Sequence, residues 1–238
     1  MNKTQLFPFN PVKEDMETTK KAKTKKTGLN AAEIQSAYRE YLLTHGKQPA
    51  SVFSFCKELG ITEAEFYTHF ASFGAIEKSI WEGFISTTVN RLTTDEAYAQ
   101  FTAQERVLTF YFSLVELLKN DRSFVLHQLT SVKAPTMLPD FIKGFKKSFE
   151  EWINSVLAEA KSTGEVAKRP YLDERYHHLF WLHLWFILQF WAKDQSPNFE
   201  KTDAAIEKSV TLAFELIGKG VLDNALDFGK FLYQNSKN

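Results

Sequence analysis

The longest apolar run of the sequence covers residues 179–191 and is interrupted only by His183 and Gln189. Its 13 residues are too few to cross a bilayer, because a membrane-spanning helix needs roughly 20 apolar residues. We predict a helix over 172–193 that is apolar on every side and must therefore be buried on every side. One side would pack on the core of its own domain. The other side would be covered either by that same core or by a partner subunit.

Helical spacing of apolar residues continues through almost the whole chain from Asn30 onward, with no alternating, strand-like run of note. Ile34, Tyr38 and Tyr41, for example, recur at the intervals of one helix face. We therefore predict an all-α fold of about nine helices, over 31–44, 51–59, a short segment after 62, 74–94, 102–119, 121–133, 138–163, 172–193 and 199–228.

Composition narrows the class of protein. Hydrophobic residues make up 44% of the chain, which excludes a disordered protein. The single cysteine, Cys56, excludes an internal disulfide framework and fits a reducing compartment. The segment that follows Met1 has no apolar stretch of the secretory type, so we expect a cytoplasmic protein.

Charge is unevenly distributed, although the 29 basic and 29 acidic residues cancel overall. Residues 1–28 hold seven lysines and three acidic residues and carry a net charge of +4. Two interpretations of this segment remain open. It is either a solvated tail or a basic arm that contacts nucleic-acid phosphates or enters a minor groove.

Three short helices, with a glycine turn between the second and the third, are the layout of a helix-turn-helix DNA-binding unit. Residues 60–72 read Gly-Ile-Thr-Glu-Ala-Glu-Phe-Tyr-Thr-His-Phe-Ala-Ser. This stretch resembles the recognition-helix signature of the TetR family of bacterial transcriptional regulators: Gly, aliphatic, Ser/Thr, three variable residues, then apolar-Tyr-x-His-Phe. Ser51 falls where that family caps its second helix, and residues 164–166 resemble the segment before its two dimerisation helices.

The resemblance implies a basic flexible arm over 1–28, a helix-turn-helix DNA-binding domain over 29–75, and a ligand-binding and dimerisation domain over 76–238. It further implies a homodimeric repressor that binds a double-stranded DNA operator and is released by an apolar small molecule or lipid. We expect no cofactor and no membrane span. We also expect no enzymatic activity, since the sequence has no phosphate-binding loop and no Gly-x-Ser-x-Gly or His-Glu-x-x-His motif.

The resemblance also implies DNA contacts around the predicted recognition helix. For Tyr67 and His69, a contact with the DNA backbone and plain packing both remain open. Glu65 is expected to complete a capping box with Thr62, while Phe66 and Phe70 occupy core positions. The candidate DNA-binding residues are Ser51, Thr62, Glu63, Ala64, Tyr67, Thr68, His69 and Lys78.

The charge of this region departs from the family pattern. Residues 29–94 contain five basic and seven acidic residues, and no Lys or Arg lies between Lys57 and Lys78. Acidic side chains beside the duplex weaken binding unless one accepts a hydrogen bond from a cytosine amino group. The alternative function is therefore a lipid- or isoprenoid-binding accessory protein that has the TetR fold and does not bind DNA specifically.

Aromatic residues are in surplus, with 22 Phe in the chain. They either fill the core or line an apolar pocket in which a few polar groups orient a ligand. The TetR resemblance places the ligand cavity among the helices of this region and thereby implies the candidate ligand-binding residues Phe110, Tyr111, Leu114, Phe124, His127, Phe145, Phe149, Trp152 and Trp181.

The predicted dimer interface is a four-helix bundle built from helices 172–193 and 199–228 of two subunits. Its candidate residues are Leu182, Trp185, Phe186, Gln189, Val210, Phe214 and Ile217. No metal site is expected. Two zinc ligands on one helix face need a spacing of three or four residues, whereas His177, His178 and His183 are one, five and six residues apart.

Overall fold

The computed structural model describes residues 28–132, 137–169, 172–218 and 220–235. All seven lysines of the predicted basic arm therefore lie outside the described residues. The described residues form ten α-helices joined by turns and short 3-10 segments, which confirms the all-α fold class. The helices are α1 (Ala31–His45), α2 (Val52–Leu59), α3 (Glu63–His69), α4 (Phe73–Thr93), α5 (Ala103–Asn120), α6 (Arg122–Leu129), α7 (Asp140–Thr163), α8 (Tyr176–Lys193), α9 (Glu200–Ile217) and α10 (Val221–Asn235). None of them is long and apolar enough to span a membrane.

Local signals set the ends of the first three helices. Ser51 accepts a hydrogen bond from the backbone N–H of Ser54 at the start of α2, as its predicted N-cap role requires. Gly60 then ends α2 with φ at 72°, a conformation that a residue with a Cβ rarely adopts. This turn sets α3 against α2 as a helix-turn-helix pair.

Aromatic rings hold α1, α2 and α3 together. Phe55 of α2 lies edge-on to Phe66 of α3, with ring centroids 6.3 Å apart, and to Phe73, at 5.5 Å. Tyr38 of α1 stacks on the other side of this cluster, 5.5 Å from Phe73. Phe66 and Phe70 are buried, which confirms their predicted core positions. The side of α3 opposite Phe66 and Phe70 is exposed to solvent.

The remaining helices pack around a second aromatic core. Helices α4 and α7 lie in close contact, and a Cβ at Gly144 would collide with the side chain of Glu82. Trp81 of α4 packs edge-on against Phe145 of α7, with ring centroids 5.2 Å apart. Helix α8 supplies a buried row to this core, made of Phe180, Trp181, Leu184, Ile187, Leu188 and Trp191.

The predicted final helix over 199–228 is wrong, because the structure has two helices there: α9 ends at Ile217 and α10 begins at Val221. The buried guanidinium of Arg169 donates hydrogen bonds to the backbone carbonyls of Ile217, at 3.0 Å, and Gly218, at 2.7 Å. The Ile217 carbonyl also accepts a bond from the Ala167 backbone N–H at 3.1 Å. These carbonyls are occupied by a distant segment, so α9 ends there.

Candidate DNA-binding, ligand-binding and dimer surfaces

Helix α3 starts with a capping box, which fixes the role of Glu65. Its carboxylate accepts bonds from the backbone N–H of Thr62, at 2.7 Å, and from the Thr62 hydroxyl, at 2.9 Å. The Thr62 hydroxyl in turn accepts from the Glu65 N–H, at 3.2 Å. The same bonds lower the pKa of Glu65. The predicted capping role of Glu65 is confirmed.

One side of α3 is open to solvent. Tyr67 is 53% exposed, and Glu63, Ala64, Thr68 and His69 are exposed beside it. The Thr68 hydroxyl donates to the backbone carbonyl of Ala64 at 2.9 Å. Among the remaining candidate DNA-binding residues, Ser51 and Thr62 are exposed at the starts of α2 and α3, and Lys78 is exposed on α4.

Residues 29–94 contain five basic residues, and two of them face carboxylates. Lys78 lies 3.8 Å from Glu82, and Arg39 lies 2.9 Å from Asp121. Cys56 is buried beneath α3, and burial raises the pKa of its thiol, with further increases from Glu63 and Glu65. Cys56 therefore serves as a neutral packing residue here.

The first three helices are tied to the rest of the chain by a buried polar cluster at Glu77 of α4. Its Oε1 accepts hydrogen bonds from the Tyr38 hydroxyl at 2.6 Å, from Gln48 at 3.0 Å and from Gln128 at 2.9 Å. Burial raises the pKa of Tyr38, and the bond to Glu77 raises it further. The ion pair between Arg39 and Asp121 forms a second link beside this cluster.

The candidate ligand-binding rings contact one another. Phe110 stacks on Trp152, with centroids 3.9 Å apart, and lies 5.8 Å from Phe149. Phe145 lies 6.2 Å from Trp181. Phe110, Tyr111, Leu114, Phe124, Phe145, Phe149 and Trp181 are all almost fully buried, Trp152 is nearly so, and His127 is half-buried.

The sequence left open whether these rings fill the core or line a pocket, and in this structure they contact one another. Side chains that face an empty apolar space lose dispersion contacts, so the rings close onto one another. An open cavity of about 630 Å³ lies elsewhere, along the first turns of α7. Its lining residues include Met137, Leu138, Lys143, Lys146 and Lys147.

Hydrogen bonds through His183 link α5, α8 and α9 at the aromatic core. Tyr111 of α5 lies 3.4 Å from Nδ1 of His183 on α8, and Nε2 of His183 lies 2.7 Å from the hydroxyl of Ser209 on α9. Burial lowers the pKa of His183 to about 4 and raises that of Tyr111 well above its usual value. His183 is therefore a neutral residue that joins three helices.

The exposed apolar residues of α8 and α9 differ from the predicted interface. Leu182 and Phe186 are 46% and 47% exposed, whereas Trp185 is only 8% exposed and Val210 is fully buried. Phe214 and Ile217 are also buried within the chain, and Gln189 is half-buried. We define the α8–α9 stripe as the exposed residues Leu179, Leu182, Phe186, Leu212 and Leu216.

Only part of the predicted interface therefore belongs to this stripe. Trp185, Val210, Phe214 and Ile217 are corrected to core positions. On a helix that is apolar all round, sequence cannot distinguish the side that meets the chain's own core from the outer side.

Three groups that could bind a metal come together where α7 meets α8. Glu150 of α7 lies beside His177 and His178 in the first turn of α8, and one donor atom from each lies within 4.8 Å of the others. Sequence spacing along one helix could not detect this cluster, because its third member comes from another helix.

Two further charged residues, which link helices, were not identified from the sequence. Glu77 interrupts the apolar face formed by Ile76, Ile80 and Trp81, which is a detectable signal for a buried polar contact. Arg122 gives no such signal. Its guanidinium lies 4.5 Å from the Trp191 ring centroid and donates to the Trp191 carbonyl at the end of α8.

Comparisons with known proteins agree with this architecture. The family described as "Tetracyclin repressor-like, C-terminal domain" matches residues 106–232. No curated protein matches the chain significantly.

Similar solved structures share the fold at low sequence identity. The fatty acid degradation regulator FadR from Bacillus halodurans has a TM-score of 0.57 and 17% identity, over 83% of this chain and 98% of that one. A protein of unknown function from Rhodococcus sp. RHA1 has a TM-score of 0.56 and 14% identity, over 83% and 100%. A protein assigned to the tetR family of transcription regulators, from Shewanella sp. PV-4, has a TM-score of 0.55 and 11% identity, over 79% and 97%. Because the matched family segment covers more than half of the sequence, the chain belongs to the TetR family of transcription regulators.

Proposed function

We propose that this chain is a homodimeric, non-enzymatic repressor whose binding to a DNA operator is relieved by an apolar small molecule or lipid. The observation that carries this proposal is the presentation of α3. Phe66 anchors the helix in the aromatic core, while Tyr67, Thr68 and His69 face solvent on its other side. A helix held in this way can enter a major groove and offer side chains to the bases and phosphates.

The α8–α9 stripe supports a homodimer. Its five large apolar residues lie on two neighbouring helices, and burying them against the same helices of a second copy would remove them from water. In such a dimer, two copies of α3 would reach successive major grooves about 34 Å apart.

The aromatic core between α4, α7 and α8 is the proposed site of the apolar ligand. The indole N–H of Trp81 is buried there and has no hydrogen-bond partner among the described residues. A ligand that separated Phe145 from Trp181 could place an acceptor atom against this donor, which would otherwise remain unsatisfied.

The Glu77 cluster offers a route from ligand to DNA. Gln128 of α6 and Tyr38 of α1 bind the same side-chain oxygen, so a shift of α6 would change the support of the first three helices. A ligand that favours the shifted state would release DNA through its differential affinity for the two states.

The decisive experiment is a gel-shift assay against the DNA upstream of the protein's own gene at two salt concentrations. A specific repressor should bind this fragment more tightly than a scrambled one, with affinity falling as salt rises. If the lysines of residues 1–28 supply phosphate contacts, deleting them should flatten the log–log salt dependence by about 0.9 for each lost contact.

The charge of the helix-turn-helix region favours one other candidate, a lipid- or isoprenoid-binding protein without an operator. Residues 29–94 have a net charge of −2, from five basic and seven acidic residues. Such a protein should co-purify with an apolar molecule that mass spectrometry of an organic extract detects. It should also recover no specific site from a genomic-fragment selection.

A further inference from the structure

The junction between α7 and α8 holds two imidazoles and one carboxylate, away from the DNA-facing side of α3. We propose that Glu150, His177 and His178 bind a divalent transition-metal ion, with Zn²⁺ as the first candidate. The proposal does not depend on operator binding, and it would hold equally for a TetR-fold lipid carrier.

The donor set has the chemistry of a zinc site. Imidazole nitrogens and a carboxylate oxygen are among the ligands that zinc uses, and three protein ligands leave a fourth position for water. Metal–ligand bonds of about 2.0–2.2 Å place donor atoms roughly 3.3 Å apart around a tetrahedral ion. Here Nδ1 of His178 lies 2.8 Å from Oε1 of Glu150, and all three donors lie within 4.8 Å of one another. Small side-chain rotations would therefore bring the three donor atoms to the distances that a tetrahedral zinc ion needs.

The two adjacent histidine rings lie close enough to share one ion. Successive residues of a regular helix point about 100° apart. These two residues lie in the first turn of α8, directly after the 3-10 segment Asp173–Arg175, and their ring centroids are 3.9 Å apart. The His177 ring also hydrogen-bonds the backbone of Glu174. Backbone bonds of this kind commonly orient a metal-binding imidazole.

A simple ion pair between His178 and Glu150 accounts for only part of this arrangement. It explains the 2.8 Å contact, but it does not account for the placement of the His177 ring against the His178 ring. A metal ion uses all three groups at once.

The positive charge of Lys146 should weaken metal binding, so removing it provides a test of the site. Its ammonium lies 3.7 Å from the same Oε1 of Glu150 and 5.6 Å from the centroid of the Trp181 ring. A positive charge at this distance lowers the affinity of a nearby cation. Removing it in Lys146→Met should therefore tighten metal binding, whereas every substitution of a ligand should weaken it.

The experiment uses the full chain, free of any histidine tag and stripped with a chelator. Zn²⁺ is titrated by calorimetry, and Co²⁺ is titrated by visible absorption, which reports the coordination geometry. We expect one ion per chain, a rise in Tm with Zn²⁺, and at least about a tenfold loss of affinity in His177→Ala, His178→Ala and Glu150→Gln. The matched control is His45→Ala, an exposed histidine at the end of α1, which should bind Zn²⁺ as tightly as the unmutated chain.

Three results would overturn the proposal. One is the absence of Zn²⁺ binding by the unmutated chain below about 0.1 mM. Another is unchanged affinity in the three ligand variants, with far-ultraviolet circular dichroism showing that they are folded. The third is weaker binding by Lys146→Met, because removal of a positive charge beside an ion at Glu150 should strengthen its binding.

Discussion

Gln128 of α6 donates a hydrogen bond of 2.9 Å to the buried Oε1 of Glu77 on α4. The same oxygen also accepts bonds from Tyr38 and Gln48, which belong to the first part of the chain. One side-chain atom therefore joins the helix-turn-helix region to the helices that surround the aromatic core. A buried polar group is costly unless it is fully bonded, so each of these donors stabilises one relative placement of the two regions.

Gln128→Leu should weaken this connection. The variant removes one donor from the Glu77 oxygen and should lower the free energy of unfolding by about 1–3 kcal/mol, measured by urea denaturation. Gln100→Leu is the matched control, because Gln100 is exposed and its replacement should change stability by less than about 0.5 kcal/mol. Equal stability of the two variants would show that the Gln128 bond contributes nothing.

Phe186→Glu or Leu182→Glu should convert the proposed dimer into a monomer. Each variant places a charge in the middle of the α8–α9 stripe, where an interface would leave it buried and unpaired at a cost of several kcal/mol. Sedimentation velocity at micromolar concentration measures the change. Leu43→Glu, a similarly exposed leucine on α1, should remain dimeric, and a monomeric unmutated chain would refute the interface.

Local sequence signals predicted local structure well, and contacts from distant segments decided the rest. The Thr62–Glu65 capping box and the Gly60 turn need only neighbouring residues, so the helix-turn-helix layout could be predicted. The end of α9 depends on Arg169, which lies 48 residues before Ile217 in the sequence, and no local pattern indicates it.

The same limit applies to the candidate sites. Trp185 and Phe186 are neighbours on an all-apolar helix, and only the packed fold shows that one is buried and the other exposed. Likewise, the cluster at His177 and His178 requires Glu150 from another helix. The exposed residues of α3 were easier to predict, because Phe66 and Phe70 define its buried side and thereby its exposed side.

The partly buried His183 should make stability fall in mild acid. Burial lowers the pKa of His183 to about 4, below its ordinary value of 6.5, so the unfolded chain takes up the proton first. The stabilisation is complete above about pH 6.5 and is lost as the pH falls towards 4. The shift corresponds to about 3 kcal/mol.

His183→Gln isolates this effect, because the other titrating groups are shared by both proteins. Between pH 7 and pH 4, the free energy of unfolding of the unmutated chain should fall by about 3 kcal/mol more than that of the variant. Parallel pH profiles would contradict a His183 that is neutral in the folded chain.

The exposed side of α3 provides the test that separates the repressor from the lipid carrier. Tyr67 and Thr68 lie outside the aromatic core, so Tyr67→Ala combined with Thr68→Ala should leave the fold, the oligomeric state and any ligand affinity intact. If α3 reads an operator, the double variant should lose specific binding in a gel-shift assay, because the side chains that face the groove are gone.

The matched control for this double variant is Thr93→Ala together with Thr94→Ala, at the far end of α4. Both threonines are exposed and bond only to backbone carbonyls of their own helix, as Thr68 does. A repressor should keep its operator affinity in this control and lose it in the α3 variant, since α3 is the helix proposed to enter the groove. Equal affinity of both variants for a specific fragment would show that α3 does not read DNA. A chain that selects no fragment and carries a bound lipid would instead support the carrier.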